Sequence, residues 1–233
     1  MKKNTELGYA TIYEGSAANM EMIRDGEADL VLTSPPYFSQ DTEELLKQSV
    51  TQQVHLDRVQ KDITSFAMTL RPVFKEIERV LRQGGALVIQ TKDIRYGGFL
   101  MPLADTHCEL ALQMGLKLVS RVHWLPTPGN KKRRPGYAQS PRKGTFRTHD
   151  VETFLIMSHS GGIDRGKKLD ANDIDVEEWV FPVWRCNANQ KKGHPHGSPQ
   201  SVVRRFIELY TDPGDLIVDP FCGFGTTLEE ASS

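Results

Sequence analysis

Pro35-Pro36 stands just behind the apolar run Ala28-Asp29-Leu30-Val31-Leu32, and that junction constrains the fold more than any other in the chain. A run of this length and character reads as a buried strand. Two successive prolines fix two φ angles and remove two backbone donors, so the sheet ladder cannot continue through them. Thr33-Ser34-Pro35-Pro36-Tyr37-Phe38 is therefore a turn at a strand's end, with carbonyls left as free acceptors beside the Ser34 hydroxyl and the Tyr37 ring. A plain strand with a Pro-Pro loop leaves the same trace. A turn so equipped also suits a flat ring bearing an exocyclic amino group, whose hydrogens the acceptors take while the aromatic face stacks.

A second junction of the same kind lies near the other end of the sequence. Asp215-Leu216-Ile217-Val218-Asp219 reads as a short buried strand, and Pro220-Phe221-Cys222-Gly223-Phe224-Gly225-Thr226-Thr227 follows as a glycine-spaced turn opening into a helix. Gly223 and Gly225 let the backbone approach a ligand, and the N–H groups beyond them, with the Thr226 and Thr227 hydroxyls, favour a carboxylate or phosphate.

With these two strings the sequence resembles the amino-group DNA methyltransferases that use S-adenosylmethionine, in the permuted order where the catalytic motif precedes the cofactor motif. The likeness spans nearly the whole chain. It implies that Ser34, Pro35, Pro36 and Tyr37 form the catalytic turn. It also implies that Asp219, Pro220, Phe221, Cys222, Gly223, Gly225, Thr226 and Thr227 bind the cofactor, joined by His194 and Pro195 from the segment before the cofactor motif. In that family the Ser-Pro-Pro-Tyr form accompanies modification of the N4 amino group of cytosine, with adenine N6 as the alternative. The implied fold is a Rossmann-like three-layer αβα sandwich around a mostly parallel sheet, with the catalytic and cofactor strands adjacent and Ser34 and Gly223 on the rim of one crevice.

The 233 residues suit one α/β domain, 1–233, with a formal net charge of −1 at pH 7. No apolar stretch reaches membrane-spanning length, and Met1-Lys2-Lys3-Asn4 opens without a signal segment, so a cytoplasmic location is expected. Cys108, Cys186 and Cys222 are far apart and form no disulfide framework or zinc pair. Lys191 to Gly197 carries His194-Pro195-His196, but two histidines around one proline without a nearby cysteine or carboxylate make a poor metal site, and none is assigned.

Charge is distributed unevenly. Lys131, Lys132, Arg133, Arg134, Arg142, Lys143 and Arg147 fall in a stretch with no acidic residue, interleaved with Pro, Gly, Tyr137 and Phe146. Such a segment tracks phosphates by releasing counterions and stacks bases on its aromatics, so double-stranded DNA is the expected partner. The span 131–178 is read as this DNA-contacting loop plus a short target-recognition insertion, although the acidic residues of 164–178 repel phosphate.

Between the motifs, Tyr9–Tyr13 reads as a strand, Met20 and Ile23 as a short helix, and 39–64 as a polar connection merging into helix. Phe66 to Leu81 follows as an amphipathic helix closed by Gly84-Gly85. Ala86–Thr91, Leu116–Trp124, Glu152–Ser158 and the β-prone 179–184 read as strands, and Leu103–Met114 as a helix ending at Gly115. Asp93 is read as an ordinary loop carboxylate bordering the crevice. Ser198 is expected to cap a helix whose first residue is Pro199 and whose buried face carries Val202, Val203, Phe206, Ile207 and Tyr210.

The resembled family continues past its cofactor motif with a full helix and a strand whose acidic end binds ribose, whereas six residues follow Thr227 here. The expectation is a truncated chain or a second polypeptide that completes the fold, with a restriction endonuclease as a further partner. A non-catalytic DNA-binding remnant is the competing class.

Overall fold

The computed structural model describes residues 4–6, 10–36, 56–96, 99–125, 151–164, 178–186 and 198–232. Its centre is a six-stranded sheet. The strands that build it are β3 (Ala28–Thr33), β4 (Leu81–Thr91), β7 (Lys117–Trp124), β8 (Glu152–Ser158), β9 (Val183–Trp184) and β10 (Ile217–Val218), in the order β10-β3-β4-β8-β7-β9. β10, β3 and β4 are parallel to one another, β8 alone runs against its neighbours, and β9 is parallel to β7. Two small hairpins stand apart, β1 (Asn4–Glu6) with β2 (Thr11–Tyr13) and β5 (Ile94–Tyr96) with β6 (Phe99–Met101).

Alternation along the strands sorts the apolar side chains into two cores. Val31, Leu87, Ile89, Leu155 and Met157 face one side, where they pack on α1 (Leu56–Val80) and α2 (Leu103–Gln113). Leu30, Leu32, Ala86, Val88, Phe154 and Ile156 face the other, against α3 (Gln200–Tyr210). α4 (Thr226–Ala231) packs on α3. Phe206 of α3 seats between Phe154 and Trp184, with ring centroids 5.0 and 4.8 Å away, and removing such a ring costs about 3–5 kcal/mol. The three-layer sandwich expected from the sequence is thus present.

Several local expectations are corrected. The long helix ends at Val80, so Gly84-Gly85 lies inside β4 and does not cap the helix. Gly84 has φ +77°, and the register with β3 shifts between Ala28 and Leu30, which marks a bulge. A Cβ on Gly85 would lie 2.9 Å from the Asp29 carbonyl, so the two strands approach through that glycine. Thr11–Tyr13 pairs with Asn4–Glu6 outside the main sheet, and the residues around Met20 and Ile23 form turns closed by Asn19 N–H to Ser16 and Ile23 N–H to Met20, with no helix. Of 179–184 only Val183–Trp184 is strand. Asp215–Asp219 contributes only Ile217–Val218 to the sheet, while the Leu216 carbonyl accepts from Asp29 and Leu30. Ser198 does not cap α3: Pro199 occupies the cap position without a side-chain bond. Asp93 accepts from the Ala104 N–H at 3.1 Å and so braces the first turn of α2, in keeping with a structural carboxylate.

Candidate active site

Open α/β sheets bind ligands beyond the carboxyl ends of their strands. The register defines what gathers at that end. Val31 pairs with Val218, so the Ser34 turn and the Pro220 turn leave adjacent parallel strands, about 5 Å apart, at nearly the same height. Thr91 pairs with Thr153, and Trp124 with Glu152, so β7 delivers the chain into 126–150 at this end and β8 takes it back there. β9 runs parallel to β7 and hands the chain on toward 187–197 on the same side.

Around the first turn, Thr33 and Pro35 are buried, Ser34 is half-buried and Pro36 is exposed. Ser34 follows Leu30 and Leu32 in alternation, which puts it on the α3 face. The Thr33 hydroxyl is buried without a hydrogen-bond partner among the described residues. Tyr37 lies outside the described residues, as do His194, Pro195 and all seven cations, Lys131, Lys132, Arg133, Arg134, Arg142, Lys143 and Arg147.

The second turn is organised by a carboxylate. Asp219 Oδ1 accepts from the Phe221 N–H at 3.1 Å and Oδ2 from the Thr227 hydroxyl at 2.7 Å, so both ends of the loop are tied to one side chain. Thr227 is buried, and its hydroxyl is turned inward to this bond, away from the ligand-facing role read from the sequence. Gly223 and Gly225 have φ of +49° and +78°, conformations in which a Cβ would be strained, and the Gly225 N–H closes the turn on the Cys222 carbonyl at 2.7 Å. Burial pushes the Asp219 carboxyl up to about 6 against the two hydrogen bonds that lower it. Burial, reinforced by Asp219, also raises the Cys222 thiol, which disfavours the thiolate a nucleophile would need. Phe221 and Pro220 are half-buried and Phe224 is exposed.

β10 pairs only with β3 among the described residues, and a groove of about 600 Å³ follows its outer side. Thr11, Tyr13 and Met20 wall it from the N-terminal segment, Asp219 and Cys222 from the turn, and Leu228 from α4. The donor set fits a small zwitterionic molecule with a net positive charge. A carboxylate held up near 6 by burial is favoured in its ionised form by a cation placed against it. Asp219, Pro220 and Cys222 of the second turn line this groove, whereas Gly223, Gly225 and the Ser34 turn do not.

Sequence reasoning missed a polar cluster beside the first turn. Gln90, nearly fully buried at the end of β4, donates from Nε2 to Glu152 Oε2 at 2.5 Å and accepts the Ser198 hydroxyl at Oε1, while Lys92 Nζ lies 3.9 Å from Glu152 Oε1. Gln90, Glu152 and Ser198 are far apart in sequence, and an acid at the head of a strand just after a basic segment is the one signal that could have pointed to the cluster.

The model of the family described as DNA methylase matches residues 28–233. The type II methyltransferase M.MjaI of Methanocaldococcus jannaschii is 28% identical, over 93% of this chain and 81% of its own length. The DNA adenine methyltransferase YhdJ of Escherichia coli is 23% identical over 93% of this chain and 72% of its own. Among solved structures, the PvuII DNA methyltransferase, titled cytosine-N4-specific, superposes with a TM-score of 0.70 at 16% identity, covering 94% of this chain and 77% of that one. The family model covers both turns and the whole sheet between them, and this chain belongs to the DNA methylase family.

Proposed function

We propose that this chain transfers a methyl group from S-adenosylmethionine to the exocyclic N4 amino group of cytosine in double-stranded DNA, on a base swung out of the helix. One observation carries the reading: the Ser34-Pro35-Pro36 turn and the Asp219-braced glycine turn emerge from adjacent parallel strands at the same end of the sheet. An amino acceptor and a methyl-donor cradle must meet at that distance for transfer in line.

The exocyclic nitrogen is a weak nucleophile because its lone pair is delocalised into the ring. Ser34 Oγ and the Pro35 carbonyl accept its two hydrogens, which favours a pyramidal nitrogen and stabilises the positive charge that develops on it. Tyr37 stacks on the flipped ring. Asp219, through Phe221 and Thr227, holds the turn of Pro220, Phe221, Cys222, Gly223, Gly225 and Thr226 in the conformation that receives the methyl donor, with His194 and Pro195 completing the pocket. When bound, S-adenosylmethionine supplies an electrophilic methyl group on a sulfonium. No protein nucleophile is used, in agreement with the raised Cys222 thiol.

Within the span 131–178, of which Glu152–Ser158 is the buried strand β8, the basic stretch 131–147 is assigned to DNA contact. The described residues on either side of that stretch, Leu125 and Val151, stand at the same end of the sheet as Ser34, where Lys131, Lys132, Arg133, Arg134, Arg142, Lys143 and Arg147 can follow the phosphates of a bound duplex. Work on DNA accords with a cytoplasmic protein; no described helix is long and apolar enough to cross a membrane. The type II designation of M.MjaI extends the proposal to a cognate restriction endonuclease. A second polypeptide along the outer side of β10 would complete the groove there. Adenine N6 is the second reading, favoured by the likeness to YhdJ.

Nucleoside mass spectrometry on DNA from a methylation-deficient host expressing the chain, beside a Ser34→Ala control, tests the proposal. N4-methylcytosine with the parent chain only is the expected result. N6-methyladenine would keep the mechanism and change the base, and unmodified DNA from soluble, folded protein would overturn the enzymatic reading in favour of a binding remnant.

A further inference from the structure

Ser198 stands where a helix cap is expected, yet its hydroxyl leaves α3 and donates to the Gln90 side chain. Gln90 passes the bond on to Glu152. The amide can sit only one way round, since its oxygen must accept from a hydroxyl and its nitrogen must donate to a carboxylate. Gln90 is 3% exposed and shares its face with Val88 and Phe154, where an apolar side chain would avoid the desolvation that an amide incurs. A buried polar chain that is fully satisfied fixes geometry more sharply than an apolar contact does.

The elements joined by this chain matter for its role. Glu152 opens β8 where the chain returns from 126–150, and Ser198 stands two residues ahead of α3 where it returns from 187–197. Thr33 pairs with Ile89 in the parallel ladder, so the next positions, Ser34 and Gln90, fall side by side, and alternation puts both on the α3 face.

We propose that Gln90 is a positioning residue for methyl transfer. Held by Glu152 and Ser198, it clamps the ends of β4, β8 and α3 together and so fixes the wall against which the Ser34 turn presents its acceptors. This rests on the reading of Ser34 given above. The charged groups that face Gln90 are Glu152 on β8 and, two residues further along its own segment, Lys92, which lies beside that same carboxylate.

The test is the single-turnover rate of methyl transfer to DNA, with melting temperature and S-adenosylmethionine affinity measured on the same preparations. The variants are Gln90→Leu, Gln90→Glu, Ser198→Ala and Ser34→Ala. Gln90→Leu is expected to slow the single-turnover step by about 100-fold while leaving cofactor affinity near that of the parent, because displacement of a reacting group by an ångström has that consequence. Gln90→Glu carries the distinguishing signature. Ionised, its carboxylate repels Glu152; protonated, its O–H donates to Glu152 and its carbonyl accepts from Ser198, as the amide does. Its rate relative to the parent therefore rises as the pH is lowered from neutral, which a space-filling role would not produce.

Ser198→Ala is a small change at a half-buried site, and a slower transfer step at unchanged cofactor affinity is expected there too; it decides the matter if Gln90→Leu does not fold. A Gln90→Leu or Ser198→Ala rate equal to the parent's, or a Gln90→Glu pH profile parallel to it, overturns the inference. Ser34→Ala separates the two levels. If it abolishes transfer while the Gln90 variants keep theirs, only the positioning role fails; if it leaves transfer intact, the reading beneath it fails.

Discussion

The two ends of the central sheet are built on opposite terms. At the amino ends of the strands, charges are closed on one another. Arg82 reaches Asp29 at 2.5 Å and Asp164 at 2.6 Å, and the second Asp29 oxygen accepts the Leu216 N–H at 2.9 Å, which ties β3, β4, the turn after β8 and the entry to β10. Nearby, Arg79 pairs with Glu76 and Asp25 and donates to the carbonyls of Met20 and Ile23. Asp164 and Asp29 push the Arg82 guanidinium even further up, as Glu76 and Asp25 do for Arg79. At the carboxyl ends part of the chemistry is left open. The Thr33 hydroxyl and His107 Nε2 are buried without hydrogen-bond partners among the described residues, and Asp219 is pushed up to about 6. The amino ends close their charges on one another, whereas the carboxyl ends, beside the Gln90 clamp, keep Thr33, His107 and Asp219 poised at a cost in stability, as functional sites do.

The contrast is sharpened first by Ser34→Ala. Losing one acceptor at the reacting nitrogen should lower the rate of transfer by about 10²–10³-fold with no change in melting temperature, measured by incorporation of labelled methyl into DNA. His107 comes next. Its ring lies between Phe66 and Phe74, Nδ1 sits 2.8 Å from the Thr91 hydroxyl, and burial drives its pKa down to about 4. An imidazole neutral when folded and protonated when unfolded gives stability that is present above the ordinary histidine pKa and is lost as the pH falls toward 4. That contribution is about 3 kcal/mol, and His107→Gln should flatten the acid limb of a urea-denaturation series.

At the opposite end, Arg82→Ala removes the guanidinium from the mostly buried Asp29 carboxylate, which keeps the Leu216 N–H, and should cost about 2–3 kcal/mol in chemical denaturation. Transfer per folded molecule should be unaffected, which is the reverse of the Ser34 result.

The smallest effect belongs to Asp219. A folded pKa raised to about 6 makes a stabilising contribution that is present below the ordinary carboxylate pKa and lost as the pH rises through 6. Ionisation through the same range should tighten binding of a cationic methyl donor, so S-adenosylmethionine affinity in calorimetry is expected to rise from pH 5 to pH 7 by about tenfold, and Asp219→Asn should abolish that slope. Thr227→Val removes a hydrogen bond that lowers the carboxyl and should shift the same slope to higher pH while costing about 1 kcal/mol of stability.

Most of the strands could be read directly, because alternation is local: Leu30-Val31-Leu32 and Ala86 to Ile89 announce a sheet covered on both faces. The two turns were legible for the same reason, since prolines and glycines declare backbone conformation without reference to distant residues. Features that depend on distant partners were not. Gly84-Gly85 follows an amphipathic helix and reads as its cap, yet the close approach of Asp29 makes it a bulge within β4. Ser198 before Pro199 has the form of a helix cap, and only the fold reveals that Gln90, 108 residues away in sequence, claims its hydroxyl. The inward turn of Thr227 likewise depended on Asp219 lying beneath it.

Photochemical crosslinking of labelled S-adenosylmethionine to the folded chain, with the labelled peptide identified by mass spectrometry, asks most directly which end of the sheet is the working end. Label in residues 215–228, competed by unlabelled cofactor and diminished in Asp219→Asn but not in Arg82→Ala, is the predicted result. Competable label confined to peptides around Arg82 and Asp164 would contradict the account.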